Sequence, residues 1–194
     1  VLVFPVTLNS NCNAPTVISI SVSNGTANSL DYNATTINVT IPANSSSTTV
    51  IISTTQDIID ELDETIIVTG TIISGCFADP NASNIGIGTI IDNDELPSFN
   101  ISTQDVLEGS PAVFNISLSN PSSVNIVIQV TTVLGTANMF DFTSINSVPI
   151  TSVTIPAGAI MQTSTVPTID DIETEGNETF QLCGTVISGN TQNT

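Results

Sequence analysis

The sequence predicts an all-β protein of two antiparallel β-sandwiches in tandem, and three observations carry that prediction. The first is composition. Val, Ile, Thr, Ser and Asn dominate, apolar residues are 40% and charged residues 9%. β-Branched residues favour strands, and this apolar share fills a core. The second is rhythm. Strand-like runs at 16–22, 48–54, 64–73, 85–91, 98–103, 113–118, 124–130, 153–155, 163–167 and 179–187 are separated by Gly, Pro, Asn and Ser. Short strands at such even spacing mark a sandwich or barrel, and no long helical period interrupts them. The third is self-similarity.

Gly25-Thr26-Ala27-Asn28 recurs as Gly135-Thr136-Ala137-Asn138, 110 positions on, and Asp31-Tyr32 recurs as Asp141-Phe142. Phe4 and Leu8 match Phe114 and Leu118. A four-residue insertion within 143–151 then moves the offset to 114. Val39-Thr40-Ile41-Pro42-Ala43 matches Val153-Thr154-Ile155-Pro156-Ala157, Glu64-Thr65 matches Glu178-Thr179, and Gly70-Thr71 matches Gly184-Thr185. A period of this length is one domain repeated. The repeats are expected at 1–96, lacking its first strand, and 97–194, lacking its last. The window is thus expected to be a piece of a longer tandem array. Glu95-Leu96-Pro97 leaves almost no linker between the repeats, and a short linker restricts domain motion.

Charge narrows the function. The chain has 18 Asp and Glu and no Lys, Arg or His. Without a basic side chain it cannot grip phosphate, which excludes nucleic acid and anionic membrane surfaces as partners. No run of 18 apolar residues appears, so no membrane-spanning helix and no direct membrane insertion are expected. No basic segment precedes an apolar run at the start, so no signal peptide is expected within this stretch.

The carboxylates are concentrated. Gln56-Asp57-Ile58-Ile59-Asp60-Glu61-Leu62-Asp63-Glu64 holds five of them, and Asp170-Asp171-Ile172-Glu173-Thr174-Glu175-Gly176-Asn177-Glu178 is its counterpart. In a seven-stranded antiparallel sandwich, the loops after the first, third and fifth strands share one end, where the seventh strand also finishes. Glu108 falls in the first of those loops, Asp31 and Asp141 in the second, and the two acidic stretches in the third. Asp92 and Asp94 close the seventh strand. Asp79 and Asp105 stand outside these groups. Crowded carboxylates without cations repel one another. Calcium takes six to eight oxygens from flexible mono- or bidentate carboxylates, and magnesium fits less well because it keeps more water. The alternative is charge that only keeps the chain soluble, but such charge would be scattered over strand faces.

Gly-Thr-Ala with Tyr32 or Phe142 following, Val-Thr-Ile-Pro-Ala, Asp57 to Glu64-Thr65, and Gly88-Thr89-Ile90-Ile91-Asp92-Asn93-Asp94 together resemble the Calx-beta domain family. The resemblance covers both repeats. It implies immunoglobulin-like calcium-binding sandwiches. It implies ligand positions at Asp31, Asp57, Glu61, Glu64, Asp92 and Asp94 in the first repeat. In the second it implies Glu108, Asp141, Asp170, Asp171, Glu175 and Glu178. Gln56 stands where the second repeat has Asp170, and Asn93 interrupts an acidic triplet; both departures imply fewer bound ions than the most acidic members hold. The absence of Lys and Arg resembles the giant repetitive surface adhesins of Bacteroidota, of the SprB gliding-motility type.

Cys12 and Cys76 fall in loops at the opposite end, and their counterparts are Ser122 and Asn190. Both cysteines are present in one repeat and both absent from the other, which points to a Cys12–Cys76 disulfide. Closing such a loop stabilises by roughly 3–4 kcal/mol in the chain-entropy model. Cys183, in place of Thr69, reads as a buried or lone thiol. Sequons occur at Asn24, Asn33, Asn38, Asn44, Asn81, Asn100, Asn115 and Asn177, and most are expected by chance in so Asn-, Ser- and Thr-rich a chain.

Catalysis is not expected. No His or Lys is available as a base for a nucleophile, and the chain has no Trp, one Tyr and seven Phe, a poor platform for sugar stacking. The expected role is a calcium-binding structural repeat of an extracellular, cell-surface adhesin or filament, in cell adhesion or gliding motility. Calcium stiffens the junctions, and neighbouring repeats are the partners. The alternatives are an adhesive module for surface glycans or proteins, and a calcium-sensor domain pair.

Overall fold

The computed structural model describes residues 1–76, 83–146 and 151–192. Asp79 and the Asn81 sequon lie outside the described residues. Among the described residues the protein is all-β, with twelve strands and no helix. Two compact units form, Val1–Asp57 with Leu62–Asp92, and Ile58–Glu61 with Asn93–Thr194.

The first unit contains β1 (Leu2–Thr7), β2 (Thr16–Asn24), β3 (Ile37–Ile41), β4 (Ser47–Ile52), β5 (Glu64–Ser74) and β6 (Ser83–Ile90). β1 pairs with β4, and the second sheet runs β3-β2-β5-β6. All these pairings are antiparallel. Pairing across intervening strands gives the Greek-key order of an immunoglobulin-like sandwich. Side chains alternate between faces along a strand. In β2 this sends Thr16, Ile18 and Ile20 inward. Ile18 and Ile20 meet Ile41, Val50, Ile52, Ile66 and Val68 in one core. Each fully buried Ile contributes about 1.5–3 kcal/mol, an upper figure because the unfolded chain already hides some surface. Tyr32 is buried there, and its hydroxyl donates to Asn24 Oδ1 at 2.6 Å.

The second unit contains β7 (Phe99–Ile101), β8 (Ala112–Leu118), β9 (Ile126–Leu134), β10 (Ser152–Ile155), β11 (Met161–Val166) and β12 (Phe180–Ser188). Its sheets run β11-β8-β7 and β10-β9-β12. Phe142 replaces Tyr32 in the core and stacks on Phe180 with centroids 4.3 Å apart, while Phe114 meets Phe180 edge-on at 6.0 Å. Phe needs no hydrogen-bond partner, and its ring contributes aromatic packing alone.

Two strands fall outside the runs read from the sequence. β1 carries Pro5, which obscures a strand pattern, and β3 is five residues with polar Asn38 and Thr40 turned outward. Of the two alternatives read for Cys183, buried or lone, the lone thiol holds: it is free and exposed, because the alternation in β12 turns its neighbour Leu182 inward.

The structure joins Cys12 to Cys76 by a disulfide, with Cα atoms 5.7 Å apart. The bridge ties the loop before β2 to the turn after β5, two strands already paired. Tyr32 is the sole tyrosine, there is no tryptophan, and Tyr32 lies in this unit's core. Its fluorescence therefore reports the first unit alone. In urea unfolding followed by Tyr32 emission, Cys12→Ser with Cys76→Ser lowers the stability of the first unit by about 3–4 kcal/mol. The second unit, followed by amide exchange on β9, is unchanged.

Candidate metal centre

The acidic loops are built by two local devices that recur in both units. The first is a pair of threonines. Thr26 N donates to Thr65 Oγ1 at 3.1 Å and Thr65 N donates to Thr26 Oγ1 at 2.8 Å. Gly25 N and Ala27 N both donate to the Thr65 carbonyl, at 3.0 and 3.1 Å. Thr136 and Thr179 repeat the exchange at 3.3 and 2.9 Å. The glycine of each turn lies so close that a Cβ on Gly25 or Gly135 would overlap the Thr65 or Thr179 carbonyl and hydroxyl. Each exchange pins the loop after β2 or β9 beside the start of β5 or the residue just before β12.

The second device is an asparagine. Asn28 N donates to Asp31 Oδ2 at 2.7 Å, and Asn138 N donates to Asp141 Oδ2 at 2.6 Å. Asn138 Nδ2 also donates to Asp141 Oδ1 at 3.2 Å. Asn28 Oδ1 accepts from Leu30 N, and Asn138 Oδ1 accepts from Phe140 N, both at 2.8 Å. Each aspartate is thereby oriented by a hydrogen bond from within its own loop. These asparagines and threonines carried no role in the sequence reading. Their signal was present as the repeated Gly-Thr-Ala-Asn and Glu-Thr motifs.

Two groups of carboxylates converge. Asp31, Asp57 and Glu61 bring one oxygen each to within 4.8 Å of one another, and so do Asp141, Glu175 and Glu178. Calcium–oxygen distances are about 2.3–2.6 Å, so oxygens on one ion lie up to about 5 Å apart. The spacing therefore fits a single hard cation, with further oxygens from water or backbone completing the shell. Asp31 is buried, at 8% exposure, and the chain has no basic side chain to neutralise it. The N-terminal ammonium is engaged with Thr54 Oγ1 at 3.2 Å.

The two groups are not identical. Asp31 corresponds to Asp141 and Glu61 to Glu175, but the third member is Asp57 in one and Glu178 in the other. Glu64, the counterpart of Glu178, begins β5 opposite Ile90 and is outside the group of three. Asp92 and Asp94 follow β6, and Asp92 N donates to Asp63 Oδ1 at 3.1 Å. Glu108 lies between β7 and β8, and its Oε1 accepts from Asp171 N at 3.3 Å. Asp171 Oδ1 accepts from Glu173 N at 2.7 Å. Asp170 packs under Gly109, whose φ of +73° suits glycine, and a Cβ there would come 2.8 Å from Asp170 Cβ. Asp60 is committed to protein contacts. Its Oδ2 accepts from the Ser122 hydroxyl at 3.0 Å, its N donates to Pro121 O at 3.1 Å and its O accepts from Ser123 N at 2.9 Å. These bonds place residues 58–61 in the second unit.

The crowding has an electrostatic signature in the second unit. Glu175 is raised above the ordinary carboxylate value by loss of hydration and by the charges of Asp141, Asp171, Glu173 and Glu108. Glu178 is raised by a side-chain hydrogen bond to Asp141, then by loss of hydration and by Asp141, Glu175 and Glu108. Such a site binds a proton more readily than an isolated carboxylate does, and a cation relieves the same repulsion.

No family model and no curated protein sequence matches the chain. Solved structures similar to it include CBD12 from CALX1.2, at TM-score 0.39 and 13% identity, covering 95% of this chain and 73% of that one. Another is the calcium binding domain CBD12 of CALX1.1, at TM-score 0.39 and 12% identity, covering 88% and 70%. A third is a red sea bream transglutaminase, at TM-score 0.29 and 14% identity, covering 95% and 26%. At these scores and identities the likenesses assign neither family nor activity.

The pKa directions fix a sign. Glu175 and Glu178 hold a proton more tightly in the folded chain than in the unfolded one. Their folding contribution is therefore favourable at low pH and is lost as pH rises through the raised values. In chelator, the melting temperature of the second unit rises as pH falls from neutrality toward the ordinary carboxylate range. Glu175→Gln with Glu178→Gln flattens that rise, read by calorimetry across pH.

Proposed function

We propose that the chain is a pair of Calx-beta-type calcium-binding sandwiches serving as structural repeats of a long extracellular adhesin or filament. The observation that carries the reading is the pair of equivalent carboxylate triads. Each triad joins the aspartate of the loop after β2 or β9 to two carboxylates of the acidic stretch that precedes β5 or β12, in a chain with no side-chain cation. Asp31, Asp57 and Glu61 would hold one ion, and Asp141, Glu175 and Glu178 another. Glu64, Asp92 and Asp94, and Glu108, Asp170 and Asp171, supply further oxygens nearby in the chain. Bound calcium supplies positive charge that offsets the carboxylate repulsion and ties loops together; no reaction follows from the arrangement, and the proposed role is not enzymatic.

The setting we infer is the cell surface. The Cys12–Cys76 disulfide suits an oxidising compartment, where calcium is also plentiful. Among the described residues no helix is long and apolar enough to cross a membrane. With Glu95-Leu96-Pro97 as the whole linker, calcium-fixed loops would stiffen successive repeats, as in SprB-type gliding-motility adhesins. Neighbouring repeats of the same polypeptide are the expected partners.

A second reading, an adhesive module, is favoured by one observation. Met139, Phe140 and Ile172 are 65%, 73% and 101% exposed in the same acidic loops. Exposed apolar groups in binding loops mark contact surfaces for glycans or proteins.

Calorimetry with calcium and with chelator separates these. On the structural reading calcium raises both melting transitions by several degrees. Asp141→Asn with Glu175→Gln abolishes the shift in the second unit only. Equal melting with and without calcium defeats the reading. Phe140→Ser with Ile172→Ser leaves the calcium shift intact, and it lowers bead adhesion to a cell surface only if the second reading holds.

A further inference from the structure

We propose that Asn33 is the attachment site of an N-linked glycan. The sequence offers many sequons without ranking them, and the fold ranks them. The inference is independent of calcium. It shares with the proposed setting only the export to an oxidising compartment that the Cys12–Cys76 bridge indicates.

Glycan transfer to a folded chain makes three demands on an Asn-x-Ser/Thr segment. The segment must lie in a surface loop, its amide nitrogen must be free to attack, and its hydroxyl must be free to meet the enzyme. Asn33-Ala34-Thr35 meets all three. It lies between the isolated bridge of Tyr32 to Thr54 and the start of β3, outside any strand, and its three residues are exposed. Asn33 N donates to Ser53 O at 2.9 Å, which fastens the segment at its first residue. Asn33 Oδ1 accepts from Thr35 N at 3.1 Å. This Asx turn folds the hydroxyl-bearing residue back toward the amide. Among the described residues nothing bonds Asn33 Nδ2 or the Thr35 hydroxyl.

The other described sequons each fail a demand. Asn24 Oδ1 is held by the Tyr32 hydroxyl at 2.6 Å, and Thr26 Oγ1 by Thr65 N at 2.8 Å. Asn38 and Asn100 lie in paired strands, and Asn115 lies in the central strand of its sheet. A backbone held in a ladder cannot bend into an enzyme groove. Asn44 occupies a turn at φ +64°, with its N bonded to Cys12 O at 2.6 Å and with Ser46 half-buried. Asn177 is followed by Thr179, whose Oγ1 accepts from Thr136 N at 3.3 Å. In the second unit Thr143 stands where the first has Asn33, and its N donates to Pro167 O at 2.9 Å in the same way. The glycan therefore marks the first unit alone at this position.

The transfer balances with a glycan–diphospholipid as donor. The bond from Asn33 Nδ2 to the sugar C1 forms, and the bond from C1 to the diphosphate oxygen breaks. The amide gives up one proton and the lipid diphosphate leaves.

The test uses the folded full chain, a glycan–diphospholipid, and an oligosaccharyl transferase that glycosylates a free peptide of residues 31–37. Mass spectrometry after acid-specific proteolysis reads each sequon. Asn33 takes the glycan several-fold faster than Asn38, Asn100 or Asn115, and Asn33→Gln or Thr35→Ala abolishes that product. Unfolding the chain brings the strand sequons up to the rate of Asn33. The protein isolated from its own cells carries a glycan at Asn33. The proposal is overturned if folded Asn33 stays bare while the peptide reacts, if the strand sequons of the folded chain react as fast, if the product survives Thr35→Ala, or if Asn33 is bare in the protein from its own cells.

Discussion

Uncompensated negative charge is the constraint on which the rest depends. A formal charge of −18 with no basic side chain leaves the fold two ways to remain compact: spread the carboxylates into water, or gather them where a cation can enter. A pair of unit charges 4 Å apart repels by about 1 kcal/mol in water and about 4 kcal/mol near a protein surface. Gathering three is therefore unfavourable unless something offsets it. The sandwiches nevertheless gather them, using hydrogen bonds that hold the acids in place without neutralising them. Asn28 and Asn138 orient the central aspartates, and the reciprocal threonine exchange sets the loop beside the strand that brings the glutamates. The strands are interchangeable in their role: they bury Ile, Val and Phe and so hold the loop ends at a fixed separation.

Much of this was legible in the sequence. The spacing of the apolar runs marked most of the strands, and the repeat placed each loop at a known end of a sandwich. The convergence of Asp31 with Glu61, and of Asp141 with Glu175, follows from that topology without any knowledge of side-chain angles. What was not legible depends on local geometry. Whether Asp57 or Glu64 completes a triad turns on the path of a loop with no repeating pattern. Asp60 has the same chemistry as Asp57 but is drawn off by the Ser122 hydroxyl and by backbone groups of Pro121 and Ser123. That is a contact between residues sixty positions apart, and no local signal encodes it. β1 was hidden for a different reason. Its Pro5 discourages a strand reading, yet an edge strand tolerates proline because a missing N–H on the open side breaks no ladder bond.

The two units also show how one scaffold drifts. Tyr32 needs Asn24 for its hydroxyl; Phe142 needs nothing and gains a stacked ring in Phe180. The pair Cys12 and Cys76 in one unit becomes Ser122 and Asn190 in the other, and Ser122 has been recruited to bind Asp60 instead.

The disulfide has a consequence for a chain under tension. Force applied along the backbone reaches Cys12 and leaves at Cys76, passing through the sulfur bridge and bypassing the 64 residues of sequence separation between them. At about 3.3–3.6 Å per extended residue, roughly 220 Å of contour length stays hidden while the bridge is intact. The second unit lacks this shunt, so more of its chain is free to lengthen than of the first. Reduction of a single covalent bond would thus alter how far the chain lengthens before it resists.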